Sequence, residues 1–310
     1  MANAGVECVV GPSQEGTRLD LVVLDALGGS VGRAYVRGLF ESGAVALNGR
    51  AVSKSFRVRE GDVVAVKVQN TEQAAVPELL ALDVRLERTD LVVLNKPAGQ
   101  PCAPIRAGET GTVANGLVAR YPEMAGVGYG AREPGLLHRL DTGTSGLLLA
   151  ARTQVAFDSL LLALRSGKLC KEYYLICAGD GLADTGDISI PIGDDSRHSR
   201  RVVACLRAEQ IRRMAPRPAT TGYRVVQRSG RWALVRAYAS RAVRHQIRVH
   251  FAAIGHPLVG DGLYGGDEGL LGRQALHACR IGLSGVDGVE SFDVVSDLPE
   301  DMASVLSAGD

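Results

Sequence analysis

Beyond Arg85 the apolar residues of this chain gather into short runs that stop at turn residues, and this pattern restricts the second part of the molecule to buried strands. LVVLNK at 91–96 ends at Pro97 and Gly99, LLLAA at 147–151 ends just ahead of Thr153, and EYYLICA at 172–178 ends at Gly179. Runs of this length between turn formers read as strands covered on both faces. Between the last two runs the period changes. Thr153 can cap a helix over QVAFDSLLLALRS, and Gly167 can close it. Asp141 therefore falls in a loop just before a buried strand, and Tyr173 at the start of a later one. There is no internal repeat and no low-complexity tract.

The first 70 residues have a different texture. TRLDLVVLDAL places Leu19, Val22, Val23 and Ala26 at helical spacing; Ser30 can cap a second helix, VGRAYVRGLFES, which Gly43 stops. Arg33 and Arg37 lie one turn apart on that helix and share a face. In VALNGRAV the pair Asn48-Gly49 marks a two-residue type I′ hairpin, and GDVVAVKV reads as a further strand. TEQAAVPELLA, from Thr71, reads as a linker. The expected division is a small α+β domain over 1–70, a linker over 71–84 and a larger domain over 85–310.

A net charge of +1 conceals a strong asymmetry. From Arg197 to Arg248 there are fourteen arginines, no lysine and one acid, Glu209, whereas from Asp261 to the end ten acids face only Arg273 and Arg280. An arginine tract of this kind is the footprint expected for phosphate backbones, and it also fits a solvated basic face. No apolar run approaches the roughly 20 residues that span a bilayer, and MANAGVECVV lacks the charged and apolar regions of a secretory signal, so a soluble, cytosolic protein is expected. The six cysteines lie far apart with no CxxC pair, which points to reduced, buried thiols rather than a zinc knuckle or redox dithiol.

The densest polar loop is LLHRLDTGTSGLLLAAR, at 136–152. Asp141 is flanked there by His138 and Arg139 and followed by small residues that let a substrate approach, so it can act as nucleophile or base. It can equally bond local backbone in a turn. Tyr173 fits either a pocket or a strand core. Arg248 alternates with Ile247 and Val249, so on a strand it would point from the core toward a polar site; the other reading is an ordinary surface arginine. His245, His250, His256 and Asp261 cluster in sequence but match no HExxH or comparable zinc pattern. Gly260, Gly262 and Gly265 satisfy GxGxxG literally, yet they follow Pro257 and open no obvious helix, against a dinucleotide site.

Two resemblances add to this reading. RLD, the arginine-bearing helix, GAVALNGR and GDVV, over roughly residues 16 to 68, resemble the RNA-binding domain shared by ribosomal small-subunit protein four, some tRNA synthetases and several pseudouridine synthases. That likeness implies RNA contact through Arg33, Arg37, Arg50 and Lys54. EPGLLHRLDTGTSGLLLAART resembles the signature of the RluA-type pseudouridine synthases. LVVLNKPAG, KEYYLICAG, HQIRVHFAAIGHPLVGDGLYG and RQALHACRI resemble further motifs of that family, in family order from Leu91 to Ile281.

This second likeness implies an α+β fold with a mixed, largely antiparallel sheet crossed by a basic cleft, acting on RNA, most readily large-subunit ribosomal RNA. It makes Asp141 the catalytic carboxylate, Arg139 the side chain that helps displace the target base, Tyr173 the ring against the uracil and Arg248 the partner that keeps Asp141 ionised. His138, Lys171 and Arg244 join as substrate-contact candidates, with Arg273 as a weaker phosphate or structural one. No metal, nicotinamide or flavin is expected, nor DNA as a partner, and the chain is expected to be a monomer. Two departures stand out: AVRHQIR replaces the usual GRTHQIR, so Val243 stands for an arginine that Arg241 or Arg244 would have to replace, and Ala103 stands where a histidine often precedes Pro104. A non-catalytic RNA-binding or ribosome-assembly protein, or a tRNA-directed enzyme, would share most of these features.

Overall fold

The computed structural model describes residues 5–27, 33–67, 74–195, 198–239 and 242–308, with the side chains of 5 and 33–35 outside that description. Ser30, Arg197, Arg241 and the side chain of Arg33 therefore lie outside the described residues. The chain forms two compact units, Met1–Gln73 and Ala74–Asp310.

In the first unit β1 (Gly5–Val9), α1 (Leu19–Ala26), α2 (Arg33–Glu41), β2 (Val45–Leu47) and β3 (Val63–Lys67) follow in order, with the antiparallel sheet arranged β1-β3-β2. Leu19, Val22 and Val23 of α1 pack with Val36 and Leu39 of α2 over Val64 and Val66 of β3. The turn after β2 has Asn48 and Gly49 at φ 49° and 77°, with Leu47 and Arg50 exchanging both backbone bonds, as a type I′ turn requires.

The second unit is built on one nine-stranded sheet. Its elements are β4 (Val84–Glu87), β5 (Leu91–Lys96), α3 (Val113–Arg120), β6 (Ser145–Ala151), α4 (Gln154–Arg165), β7 (Leu169–Ala178), β8 (Thr185–Ser189), β9 (Ile192–Asp194), β10 (Val202–Ala204), α5 (Ala208–Met214), β11 (Thr220–Ser229), β12 (Trp232–Tyr238), α6 (Gln246–Ala253), β13 (Leu276–Leu283), β14 (Phe292–Val295) and α7 (Glu300–Ser307). The sheet runs β4-β5-β6-β13-β7-β12-β11-β8, with β14 on β13; only β6 and β13 pair in parallel, and β9 and β10 form a separate ribbon. It is thus mixed and largely antiparallel.

Helices cover both faces, which is why the central strands are apolar almost without interruption. On one face Val92, Leu148, Leu175 and Val235 meet Leu117 of α3 and Phe251 of α6. On the other, Val93 and Leu149 meet Phe157 and Leu160 of α4, while Ile176 and Leu234 meet Met302 and Val305 of α7. Thr153 accepts from the Ala156 amide as the cap of α4, and Gly167 ends the helix at φ 76°. The segment read as a linker packs against the second unit from Ala74 onward. The Ala75 amide donates to the Ala131 carbonyl, Asn115 of α3 donates to the Val76 carbonyl, and Leu82 lies against Gly116. Its apolar side chains and the buried Asn115 give it a fixed path.

Candidate active site

Asp141 sits four residues before β6, in a loop pinned by its own backbone. The Thr144 amide donates to the Asp141 carbonyl, and the Thr142 carbonyl accepts from the Gly99 amide at 2.8 Å and from Lys96 Nζ at 3.2 Å. Lys96, 1% exposed, also donates to the carbonyls of Pro97 and Gln100 at 2.8 and 2.9 Å. Burial pushes its ammonium down to about 8. A lysine spent on three carbonyl oxygens is a cross-brace that ties the β5 turn to the Asp141 loop. Gly146, at φ 112°, begins the parallel β6–β13 pairing; a Cβ there would lie 2.3 Å from the Ala278 carbonyl oxygen, so only glycine lets the strands meet.

The carboxylate of Asp141 is not used to bond the local turn. Its Oδ2 accepts from Nη1 of Arg248 at 2.8 Å, and its Oδ1 lies 3.7 Å from Nε2 of His245, with the side chain 26% exposed. Arg248 is not on a strand, as its alternation with Ile247 and Val249 suggests, but in the first turn of α6. That helix is buried on two sides, Ile247 and Phe251 facing the main core and Val249 another, so β-branched residues fill both neighbours of the arginine. Arg248 is itself buried, and its other edge is held by Asp261: Nε to Oδ2 and Nη2 to Oδ1, both at 2.7 Å. Burial opposes its charge, but Asp261 and then Asp141 outweigh that and hold the guanidinium above its ordinary value.

His245 enters α6 in the left-handed region, at φ 54°. Its Nδ1 lies 3.0 Å from the Tyr264 hydroxyl. Burial lowers its pKa, with Asp141 opposing and Arg248 and Arg244 reinforcing the shift. Tyr173 lies on β7 with Ala237 and Ala278 opposite it, small neighbours that leave its ring room. Burial, then the nearby Asp141, raises its hydroxyl pKa.

The remaining sequence candidates are spread out. Arg139 is exposed and pairs with Glu133 at 2.8 Å, at the rim. His138 turns inward, where its Nε2 accepts from the Leu149 amide; burial pushes the ring down to about 3, so it is a neutral brace on β6. Lys171, on β7 two residues before Tyr173, is buried with no hydrogen-bond or ion-pair partner among the described residues, and burial pushes it down to about 8. Arg244 is exposed and donates to the carbonyls of Ser199 and Arg201, bracing the β9–β10 turn rather than reaching Asp141. Arg273 pairs with Asp301 and donates to the Gly143 carbonyl. Within the first unit Arg37 and Lys54 line one pocket of about 470 Å³ with Arg18 and Asp20, and Arg50 is exposed on the hairpin turn.

The metal-site histidines do not converge. His250 bonds Thr221 and the Ile190 carbonyl, and His256 bonds the Ala178 carbonyl. Among the described residues no His, Cys, Asp and Glu cluster could hold a metal ion. GDGLYG forms a short 3-10 turn at Gly262–Tyr264 whose product is the placement of Asp261. Lys96 was not singled out from the sequence, and His245 and Asp261 were noted only as members of a zinc pattern they do not match. An acid in a glycine-rich turn, placed after the segment carrying the arginine, was the available signal for Asp261.

A family model described as RNA pseudouridylate synthase matches residues 90–253, more than half of the chain. Among curated proteins, the uncharacterized RNA pseudouridine synthase YlyB of Bacillus subtilis is 33% identical over 276 residues, covering 88% of this chain and 88% of that protein. Ribosomal large subunit pseudouridine synthase D of Yersinia pestis is 32% identical over 320 residues, covering 98% and 94%. Of solved structures, human RNA Pseudouridylate Synthase Domain Containing 1 shares the fold, with a TM-score of 0.57 at 24% identity over 71% of this chain and 84% of that one. The chain belongs to the RNA pseudouridylate synthase family. It is an isomerase of RNA uridines.

Proposed function

We propose that this enzyme isomerises specific uridines of large-subunit ribosomal RNA, with Asp141 as the reacting carboxylate. The observation that carries the reading is the 2.8 Å bond from Arg248 to one oxygen of Asp141, which leaves the other oxygen free of any charged hydrogen-bond donor in a partly open loop. An ionised carboxylate is the form needed either to add to the anomeric carbon or to remove a ribose proton. The reaction breaks the bond from uracil nitrogen 1 to that carbon, turns the base and rejoins it through carbon 5. Carbon 5 then loses its proton and nitrogen 1 gains one, so the overall change is neither redox nor hydrolysis, and no nicotinamide or flavin is required.

The target must leave its stack, at a cost of a few kcal/mol. Arg139, exposed at the rim and free to exchange Glu133 for RNA, would fill the gap, and Tyr173 would lie against the uracil. Lys171, buried without an anionic partner, is suited to an oxygen-rich part of the substrate. Exposed Arg200, Arg207, Arg212 and Arg213, together with Arg33, Arg37, Arg50 and Lys54 of the first unit, would hold phosphates as a monomer acts in the cytoplasm, on RNA rather than DNA. Several relatives named for the ribosomal large subunit support that substrate. The test is a map of pseudouridines in ribosomal and transfer RNA from cells with and without the protein. Loss at defined large-subunit positions is expected; loss confined to transfer RNA would contradict the substrate, and no change in either would contradict the reading.

A further inference from the structure

We infer that Asp261 is a positioning residue of the reaction, which sets the rotation of Arg248 so that Nη1 alone is presented to Asp141. This rests on the reading of Asp141 as the reacting carboxylate. A guanidinium has two bidentate edges, and an unanchored arginine beside a carboxylate tends to engage it with a whole edge. Such a fork would occupy both oxygens of Asp141 and leave neither to react. Here the Nε/Nη2 edge is taken by Asp261 at 2.7 and 2.7 Å, so one Nη1 bond of 2.8 Å is what reaches Asp141.

The other neighbour of the guanidinium cannot do this. The Tyr264 ring lies under it at 5.2 Å, and a ring face attracts a cation without fixing its rotation. Asp261 is 2% exposed and is built into place by its turn: its carbonyl accepts from the amides of Tyr264 and Gly266. Gly260, at φ 73°, would put a Cβ 1.8 Å from the Arg273 carbonyl oxygen, and Gly266 would put one 1.9 Å from that of Leu258. Gly260, one of the glycines that mimic a dinucleotide motif, and Gly266 therefore serve the aim of one carboxylate.

The charged and titratable groups that face Asp141 are Arg248 and His245 from α6 and its entry, Tyr173 from β7, Lys96 from β5 and Cys102 from the loop after it, with Asp261 behind Arg248. If Asp261 acts through Arg248, its effect must vanish once Arg248 is gone. The experiment is a double-mutant cycle of Asp261→Asn and Arg248→Met on the full chain, reading kcat and KM over a titration of an RNA transcript up to saturation. Asp261→Asn is expected to lower kcat at least tenfold with KM little changed; in the Arg248→Met background it should cost less than twofold.

The double variant removes both members of a buried pair and so restores charge balance for folding. If Asp261→Asn alone does not fold, Asp261→Glu keeps the charge but shifts it by one methylene, and it too should lower kcat with KM little changed. Equal losses from Asp261→Asn in both backgrounds, or wild-type kcat in either Asp261 variant, would overturn the inference. Failure of the underlying reading looks different: Asp141→Asn would then remain active.

Discussion

The floor of the site and the basic surface around it use arginine in opposite ways. On the floor Arg248 is 8% exposed in its side chain and bridges two carboxylates, Asp141 and Asp261, with every contact at 2.7–2.8 Å. On the surface Arg139 is 65% exposed and holds a single acid, Glu133. A buried pair that loses one partner leaves an uncompensated charge, whereas exposed pairs contribute at most about 1 kcal/mol. The floor is therefore fixed before RNA arrives, and the rim can trade its acids for phosphates at little cost.

The largest effect on this contrast is expected from Arg248→Met. Removing the guanidinium strands Asp261 and Asp141, so stability should fall by about 3–5 kcal/mol, read as a lower midpoint in urea. An unchanged midpoint would place Arg248 among the surface arginines.

Arg139→Ala should leave stability unaltered, since it gives up only an exposed pair. If Arg139 offsets a few kcal/mol of unstacking, kcat/KM on structured RNA should fall about ten- to a hundredfold. The loss should shrink on a target that is already single-stranded, and an equal loss on both substrates would contradict the role.

The smallest effect on chemistry should follow removal of residues 1–73. All the contacts of Asp141 described above come from the second unit, so turnover at saturating RNA should stay within a few fold. Binding should weaken, with a salt dependence shallower by roughly 0.7 to 0.9 per lost phosphate contact. A folded but inactive truncation would mean that the first unit helps to build the site.

The same contrast governs what was legible in the sequence. Strands β5, β6 and β7 stood out because burial on both faces leaves an unbroken apolar run, and α4 because Thr153 and Gly167 mark its ends. Arg248 was found but assigned to the wrong element, because a helix buried on two sides shows no polar stripe and its β-branched neighbours mimic a strand. His138 adjoins Arg139 in sequence, yet it braces β6 through Leu149 while Arg139 pairs with Glu133 at the surface.

The arginine tract divides in the same way. Arg228 is spent on the carbonyls of Gly179 and Leu182, and Arg236 on Tyr174 and Glu172, while Arg200, Arg207 and Arg212 are exposed. Charge composition alone cannot separate an arginine that ties loops from one that meets RNA. The partnership of Arg248 with Asp261 was hidden for a different reason: it depends on the path of a glycine-rich turn, and no local period encodes that.

The central claim is that Asp141 does the chemistry, and release of the carbon-5 hydrogen reports that chemistry directly. RNA carrying tritium at uracil carbon 5 would be incubated with the wild-type chain and with Asp141→Asn, and binding of the same RNA measured for both. Asp141→Asn keeps the shape of the side chain and removes its charge, so the account predicts tritium release by the wild type, none by the variant, and affinities within a few fold of each other. Substantial tritium release by the purified variant would contradict it.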